Sequence, residues 1–448
     1  AVGSARGDAP LRREGHGQGI DGSRAQSGGQ VGGQAGRQGR AGPQDDRFQT
    51  QDSLSLPQFP RGPSMPRFLQ AHATHPDPHM ALALAGAQLE GQRAGMTPTL
   101  GFLYLTHPYV PQAQALLDEV RQRWPGCGWV GASALAVSAS GVEYFDEPAL
   151  VVMLCDLPPE QWRIFSGRQP LPPEGEPRSL LLHADGGTPD LQELIGELAQ
   201  RCSSGYLFGG LVSGGDDAVQ IADGVFAGGL SGLALGPEVR WISRVSQGCQ
   251  PLGRERRVTA CDGPLVTELD GLPALDALLE DLKLPAYTGE SGSLRQAMPL
   301  FRRTLVGLND EPGARREYGP EVRVRHLVGL DPGRRGIAVA GQLRTGELLG
   351  FCERHPGAAP PGPGRLYLVR TCTEIRAEPE ERGPHMAGAL YVSCTGRGGP
   401  HFGAPSAELQ WVQHALGEVP LAGFFANGGI APARLPGYPG VLTAFLDR

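Results

Sequence analysis

The sequence nearly lacks lysine: Lys283 is the single one among 40 basic residues, against 47 acidic ones and a formal net charge of -7. A chain without a basic stripe carries no electrostatic footprint for nucleic acid or for an anionic membrane surface. Lys283 sits in DLKLPA, without the glycines of a phosphate-cradling Walker A loop. Long apolar runs are missing too. No stretch approaches the roughly 18 residues of a membrane-spanning helix, and segments such as Leu150 to Leu154 are strand-sized. No charged segment leads into an apolar core at the start, so no secretory signal is visible. The eight cysteines include no C-x-x-C pair and are scattered from Cys127 to Cys394. That spacing speaks against a disulfide framework and a structural zinc site, and reduced thiols in a cytoplasmic protein are expected. No metal or cofactor is called for. A G-x-S-x-G nucleophile elbow is also absent, because LVSGG around Ser213 has Leu211 where the first glycine belongs.

Glycine (67) and proline (41) are abundant, together about 24% of the chain. Part of this lies in residues 1–64, which hold 14 glycines, 9 glutamines and only two aromatics, Phe48 and Phe59. Such a segment buries too little apolar surface to offset ordering entropy, and disorder is expected there. Met65 reads as the more natural start. From Met65 onward the pattern alternates between helix and strand periodicity. Helices are expected over Pro78–Gln92 (with Asp77 as N-cap), Pro111–Trp124, Asp190–Cys202, Ala274–Leu282, Leu366–Arg376 and Ala404–Leu416. Strands are expected over Thr99–Leu105, Trp129–Val137, Ala149–Leu154, Tyr206–Gly210, Gly229–Leu235, Val322–Leu330, Gly388–Cys394, Leu421–Ala426 and Val441–Phe445, with others among the glycines. The interleaving defines an α/β or mixed α+β protein, with mixed sheets flanked by helices. We divide it at a polar stretch into domains at 65–288 and 289–448. No short-period repeat is visible.

Three features carry chemistry. His72, His75, Asp77 and His79 crowd HATHPDPH, but Pro76 and Pro78 break the helix that would align them for a metal. Fifteen glycines fall within residues 196–271, including FGGLVSGGDD and FAGGLSG. Glycine lets the backbone approach a ligand closely, or simply turns tightly between strands. SCTGRGG (Ser393 to Gly399) follows a β-rich run, and Arg397 near Cys394 could lower the thiol pKa. Cysteine catalysis would need a base, for which His401 and His414 are the local candidates.

Taken in order, VSQGCQPLG (245–253), Val258-Thr259, ELDGLPALDALLE (268–280), VGLDP (328–332), SCTGRGG and PLAGFFANGGI (420–430) resemble the FIST family, with its N-terminal and C-terminal domains in tandem. The resemblance covers about residues 65–448. It implies a bacterial intracellular sensory protein that binds a small ligand, an amino acid or related metabolite, and signals through an unidentified protein partner, without catalysis and without nucleic acid or membrane. The ligand is expected near Gly209, Gly210 and Ser213, with Cys394, Gly396, Arg397, Gly398 and Asn427. Arg397 would neutralise a carboxylate or phosphate, and Asn427 would offer a donor and an acceptor together. Similar chains carry Gly-Glu-Ile where this one has Gly428, Gly429 and Ile430, and the missing carboxylate shifts that task to Glu408. The alternatives are an enzyme with Cys394 as nucleophile and a ligand-free interaction scaffold.

Overall fold

The computed structural model describes residues 67–172, 175–215, 217–246, 249–289, 291–309, 322–354, 363–398, 402–431 and 439–447. The tail at 1–64, His401 and most of the Pro-Gly run at 356–364 lie outside them. The described residues form a mixed α/β protein with eight α-helices and 25 strands.

In chain order the first part comprises β1 (Phe68–Thr74), α1 (Pro78–Gln92), β2 (Leu100–Thr106), α2 (Ala113–Arg123), β3 (Gly128–Ala134), the hairpin β4 (Ala136–Ala139) and β5 (Val142–Phe145), and β6 (Ala149–Cys155). The second part comprises β7 (Trp162–Ser166), β8 (Ser179–Ala184), α3 (Leu191–Gln200), β9 (Tyr206–Leu211), the hairpin β10 (Gln220–Ala222) and β11 (Val225–Phe226), and β12 (Leu230–Leu235). Next come β13 (Trp241–Ser246) and β14 (Cys249–Pro251), then β15 (Arg256–Asp262), β16 (Leu265–Leu269) and β17 (Leu272–Pro273). The helices α4 (Ala274–Asp281), α5 (Ser291–Gln296) and α6 (Met298–Phe301) lead to β18 (Thr304–Asn309), β19 (Arg323–Asp331), β20 (Gly336–Val339) and β21 (Leu348–Arg354). The chain ends with α7 (Pro363–Arg382), β22 (Met386–Cys394), α8 (Ala407–Leu416), β23 (Leu421–Ala426), β24 (Gly429–Ile430) and β25 (Gly440–Leu446).

Strand pairing shows that one unit occurs three times. In each unit the first strand pairs antiparallel with the fourth, the fourth antiparallel with the second, and the second parallel with the third. Repeat 1 does this with β1, β2, β3 and β6. Repeat 2 uses β7, β8, β9 and β12. Repeat 3 uses β13, β22, β23 and β25. The parallel pairs need a crossover, and α2, α3 and α8 supply it. Each repeat then hands a strand to another repeat. β4 of repeat 1 extends the sheet of repeat 3 beside β23, β24 of repeat 3 extends that of repeat 2 beside β9, and β10 of repeat 2 extends that of repeat 1 beside β3. The exchange closes into a ring, so strands from either side of residue 288 share sheets.

Equivalent glycines mark the third strands. Gly131, Gly209 and Gly423 lie opposite Leu103, Leu182 and Tyr391, and a Cβ on any of them would overlap that partner's carbonyl oxygen. The inner faces of all three sheets share one core, containing Phe102, Val130, Leu181, Phe208, Val392 and Phe424. The outer faces are covered separately, by α1 and α2, by α3, and by α7 and α8. One ring from each repeat meets in the middle: Tyr104, His183 and Phe424, with centroids 5.2–5.6 Å apart.

Between β13 and α7 the third repeat carries an insertion. Strands β21, β15, β16, β20, β19 and β18 pair in that order, and β18 pairs back onto β21, closing a six-stranded barrel around its own core. Full closure leaves the barrel no free sheet edge. β14 adds to β21 at the neck, where the chain enters and leaves the barrel.

Several expected elements shift. The Trp129–Val137 strand is two strands, β3 and β4, split at Leu135 because β4 crosses to another sheet. The helix expected from Pro111 begins at Ala113, after a 3₁₀ turn over His107–Gln112. The Ala404–Leu416 helix begins at Ala407, because Ser406 has φ +58° and cannot extend it.

Candidate functional site

The loops after β3 and β9 meet the end of β23 at one residue. Ser213, just past β9, donates from Oγ to the Phe425 carbonyl at 2.5 Å and accepts from the Leu135 amide at 2.9 Å. It therefore ties repeat 2 to repeats 3 and 1 with one hydroxyl, and is 2% exposed. Nearby, the Asn427 amide donates to the Leu211 carbonyl (3.0 Å) and the Leu211 amide to the Gly428 carbonyl (2.8 Å). Gly210 lies against repeat 3: a Cβ there would come within 2.6 Å of Ala426 Cβ and 2.8 Å of Val392 Cγ1. Gly209 and Gly210 pair with Ile430 and Gly429 of β24. Gly429 packs beside Pro439 and Val441, so that position is filled by neighbouring side chains.

On the surface of this junction lie exposed Asn427 and Leu135, and the Gly214-Gly215 loop. These glycines have φ +114° and +111°, a region that side chains disfavour. His107 Nδ1 and Asp217 Oδ1 are 3.4 Å apart beside them. Open α/β sheets commonly receive ligands at the carboxyl ends of their strands, which is where this junction sits.

The other expected residues form a second, buried group under α8. Arg397 donates from Nε to Glu408 Oε1 (2.9 Å), from Nη1 to the Ser246 carbonyl (2.6 Å) and from Nη2 to Ser246 Oγ (3.2 Å). Tyr391 OH donates to Glu408 Oε1 (2.6 Å) and Ser393 Oγ to Glu408 Oε2 (3.0 Å). Arg397 and Glu408 are 3% and 1% exposed. Burial opposes the guanidinium charge, but adjacent Glu408 outweighs it and holds the Arg397 pKa above its ordinary value. Burial, and then the Glu408 charge, push the Tyr391 hydroxyl well up. Phe402 lies over the guanidinium at 5.7 Å.

Alternation along β22 separates the two groups. Tyr391 and Ser393 face α8, and Val392 faces the shared core. Cys394 is buried, and its amide donates to the Pro439 carbonyl at 3.0 Å. His414 is exposed on α8. Gly396 lies half-buried in the loop between, and Gly398 packs where a Cβ would strike Phe145 and Phe425. The structure thus brings Gly209, Gly210, Ser213 and Asn427 together, and Arg397 with Glu408, on opposite faces of one sheet. Tyr391, Ser393 and Ser246 were not foreseen. The alternation of ALYVSC, one face apolar and one hydroxylated, is the signal that marks the first two.

The histidines of HATHPDPH go separate ways. His72 Nδ1 bonds Tyr144, His75 bonds the Asp77 backbone, and His79 Nδ1 lies 2.9 Å from Glu119. Asp77 caps α1, accepting from the His79 and Met80 amides. A groove of about 280 Å³ lies elsewhere, between Pro159–Arg163, Leu171, Pro172, Gly175–Pro177 and Ala234–Gly236. It contains none of the expected residues.

A three-repeat α/β ring with a barrel inserted in its third repeat defines the class: a mixed α/β protein in which the repeats exchange strands. Sequence comparison gives the particular family. The FIST N domain matches residues 99–272 and the FIST C domain residues 274–432, so the chain belongs to the FIST family. FIST domains are associated with signal transduction and small-ligand sensing. Two relatives are close to full length. Rv0628c of Mycobacterium tuberculosis (strain ATCC 25618 / H37Rv) is 31% identical over 395 residues, 84% of this chain and 98% of its own. Mb0898c of Mycobacterium bovis (strain ATCC BAA-935 / AF2122/97) is 31% identical over 392 residues, 84% and 97% respectively. Among solved structures, T. maritima PurL complexed with ATP aligns over 86% of this chain and 72% of its own at 11% identity, with a TM-score of 0.22, too low to carry any argument about fold or site.

Proposed function

We propose that this protein is a sensory protein that binds a small ligand, an amino acid or related metabolite, at the junction around Ser213, and passes the signal to a protein partner. The observation that supports this reading is the convergence of backbone from all three repeats on one hydroxyl, from the loops after β3 and β9 and from the end of β23. A ligand seated there would touch every repeat at once, and its occupancy would bear on the whole ring. Asp217 suits an ammonium group, while His107, Asn427 and the open backbone at Gly214 and Gly215 suit a carboxylate. In this reading Arg397 and Glu408 are positioning residues: they fix the 394–398 loop from beneath.

The alternative, Cys394 as a nucleophile, would need a base to reach a buried thiol; of the two named, His414 is exposed on α8 and His401 lies outside the described residues. The test is thermal denaturation of the full chain against a panel of amino acids and related metabolites. A ligand at 100 times its Kd adds about 2.7 kcal/mol. The stabilisation should disappear in Asn427→Ala and Gly215→Val. A panel without any shift, or a shift that both variants retain, refutes the assignment.

A further inference from the structure

We propose that Cys249 and Cys352 form a reversible disulfide that locks the neck of the inserted barrel, with a peroxide as oxidant. The two residues lie on the strands by which the chain enters and leaves the barrel. β14 and β21 pair antiparallel, with Cys249 opposite Arg354 and Pro251 opposite Cys352. The cysteines are therefore diagonal neighbours on one ladder, about 7–8 Å apart, and joining them requires a shift of the short strand β14. Beyond burial, Cys249 is among the neighbours that push the Cys352 thiol up. Both pack in one small cluster with Leu305, Val322 and Val324. Both are reduced and almost fully buried.

The topology gives this pair its consequence. Ser246, three residues before Cys249, is the last residue of β13 and takes two hydrogen bonds from Arg397. In sequence the neck therefore begins three residues after a member of the buried cluster under α8. A covalent bond at Cys249–Cys352 would fix the barrel against the third repeat at its point of attachment.

Burial pushes the Cys352 thiol well above the ordinary thiol range, so the closed neck reacts slowly. β14 is only three residues long and pairs with β21 alone among the described strands. Such a strand opens locally at low cost, and opening exposes Cys249. The chemistry then balances. A thiolate attacks the peroxide: an S–O bond forms, the O–O bond breaks, and the released hydroxide takes up a proton to leave as water. The second thiol attacks the sulfenic sulfur: the S–S bond forms, the S–O bond breaks, and a second water leaves. Each sulfur gives up one electron and the peroxide takes two.

The experiment treats the reduced full chain with hydrogen peroxide, then alkylates it under denaturing conditions and maps the peptides. The expected result is the loss of two alkylatable thiols, a cross-linked peptide joining Cys249 to Cys352, and full recovery with dithiothreitol. Amide exchange at Cys249 and Gln250 should slow at least tenfold in the oxidised protein. Cys249→Ser and Cys352→Ser should each abolish the cross-link and leave the remaining partner alkylatable. The site is refuted if both cysteines stay alkylatable while the more exposed Cys261 is oxidised, or if either couples to a different cysteine. Since peptide mapping of the unmodified sequence already decides this, a variant that fails to fold does not rescue the idea. Unchanged exchange at Cys249 and Gln250 in a cross-linked protein refutes the lock.

Discussion

Glu408→Ala is expected to be among the most damaging single substitutions in the chain. The carboxylate is 1% exposed and serves three donors: Arg397 Nε, Tyr391 OH and Ser393 Oγ. Its removal leaves the guanidinium at 3% exposure without its counter-charge, and breaking a buried pair from one side costs about 3–5 kcal/mol. The two stranded hydroxyls add about 1 kcal/mol or more each, though donors sharing one acceptor do not add fully. A loss of about 5 kcal/mol results, or roughly 10–20 °C in melting temperature at about 2–4 °C per kcal/mol. The assay is thermal and urea denaturation followed by circular dichroism. The informative comparison is the double variant Arg397→Met, Glu408→Leu, which leaves no buried charge and should cost less than Glu408→Ala alone. If Glu408→Ala melts within a degree or two of the parent, or if the double variant is the worse of the two, the reasoning about this cluster is wrong.

Other outcomes follow from the ring. Ser213→Ala strands the Leu135 amide and should cost about 1–3 kcal/mol in urea denaturation; a neutral result would mean that the hydroxyl does not join the repeats. Gly131→Ala, Gly209→Ala and Gly423→Ala should each lower stability by about 1–3 kcal/mol or more, because each Cβ meets a carbonyl oxygen of fixed backbone. A tolerated alanine at any one of them would break the equivalence of the repeats. His183 is wholly buried, and burial lowers its pKa to about 3, against 6.5 in the unfolded chain. The unfolded state therefore binds a proton that the folded state refuses. The stability contributed at this position is intact above about pH 6.5 and falls by about 1.4 kcal/mol per pH unit as pH drops toward 3. His183→Leu should flatten the acid limb of stability against pH; an unchanged limb would show that His183 does not set it.

Much of the fold was legible because local chemistry and tertiary context agree. Asp77 before Pro78 starts α1 where expected, and LAGFFA reads as the strand it forms at Leu421–Ala426. The first strand of every repeat escaped notice: Phe68–Thr74, Trp162–Ser166 and Trp241–Ser246. Among the described strands all three lie at sheet edges and pair only with the fourth strand, so their sequences mix polar with apolar residues and lack the uniform run of a central strand. The threefold repeat was hidden for a related reason. What the repeats share is strand order and one glycine, in WVGAS, LFGGL and LAGFF, while the side chains around that glycine differ and the third copy is split by about a hundred residues of barrel. The candidate site was half legible. Glycine loops pointed to the junction of Gly209, Gly210, Ser213 and Asn427. The charge of Arg397 pointed to a ligand, yet Glu408, eleven residues later and on a helix, is the group it meets.

Native mass spectrometry of the gently purified full chain tests the central claim most directly. The account predicts a small-molecule adduct on the folded protein that is released on denaturation, competed by the amino acid giving the largest thermal shift, and missing from Asn427→Ala and Gly215→Val of intact fold. An adduct that persists in both variants, or a bare mass at millimolar concentrations of every panel compound, would contradict it.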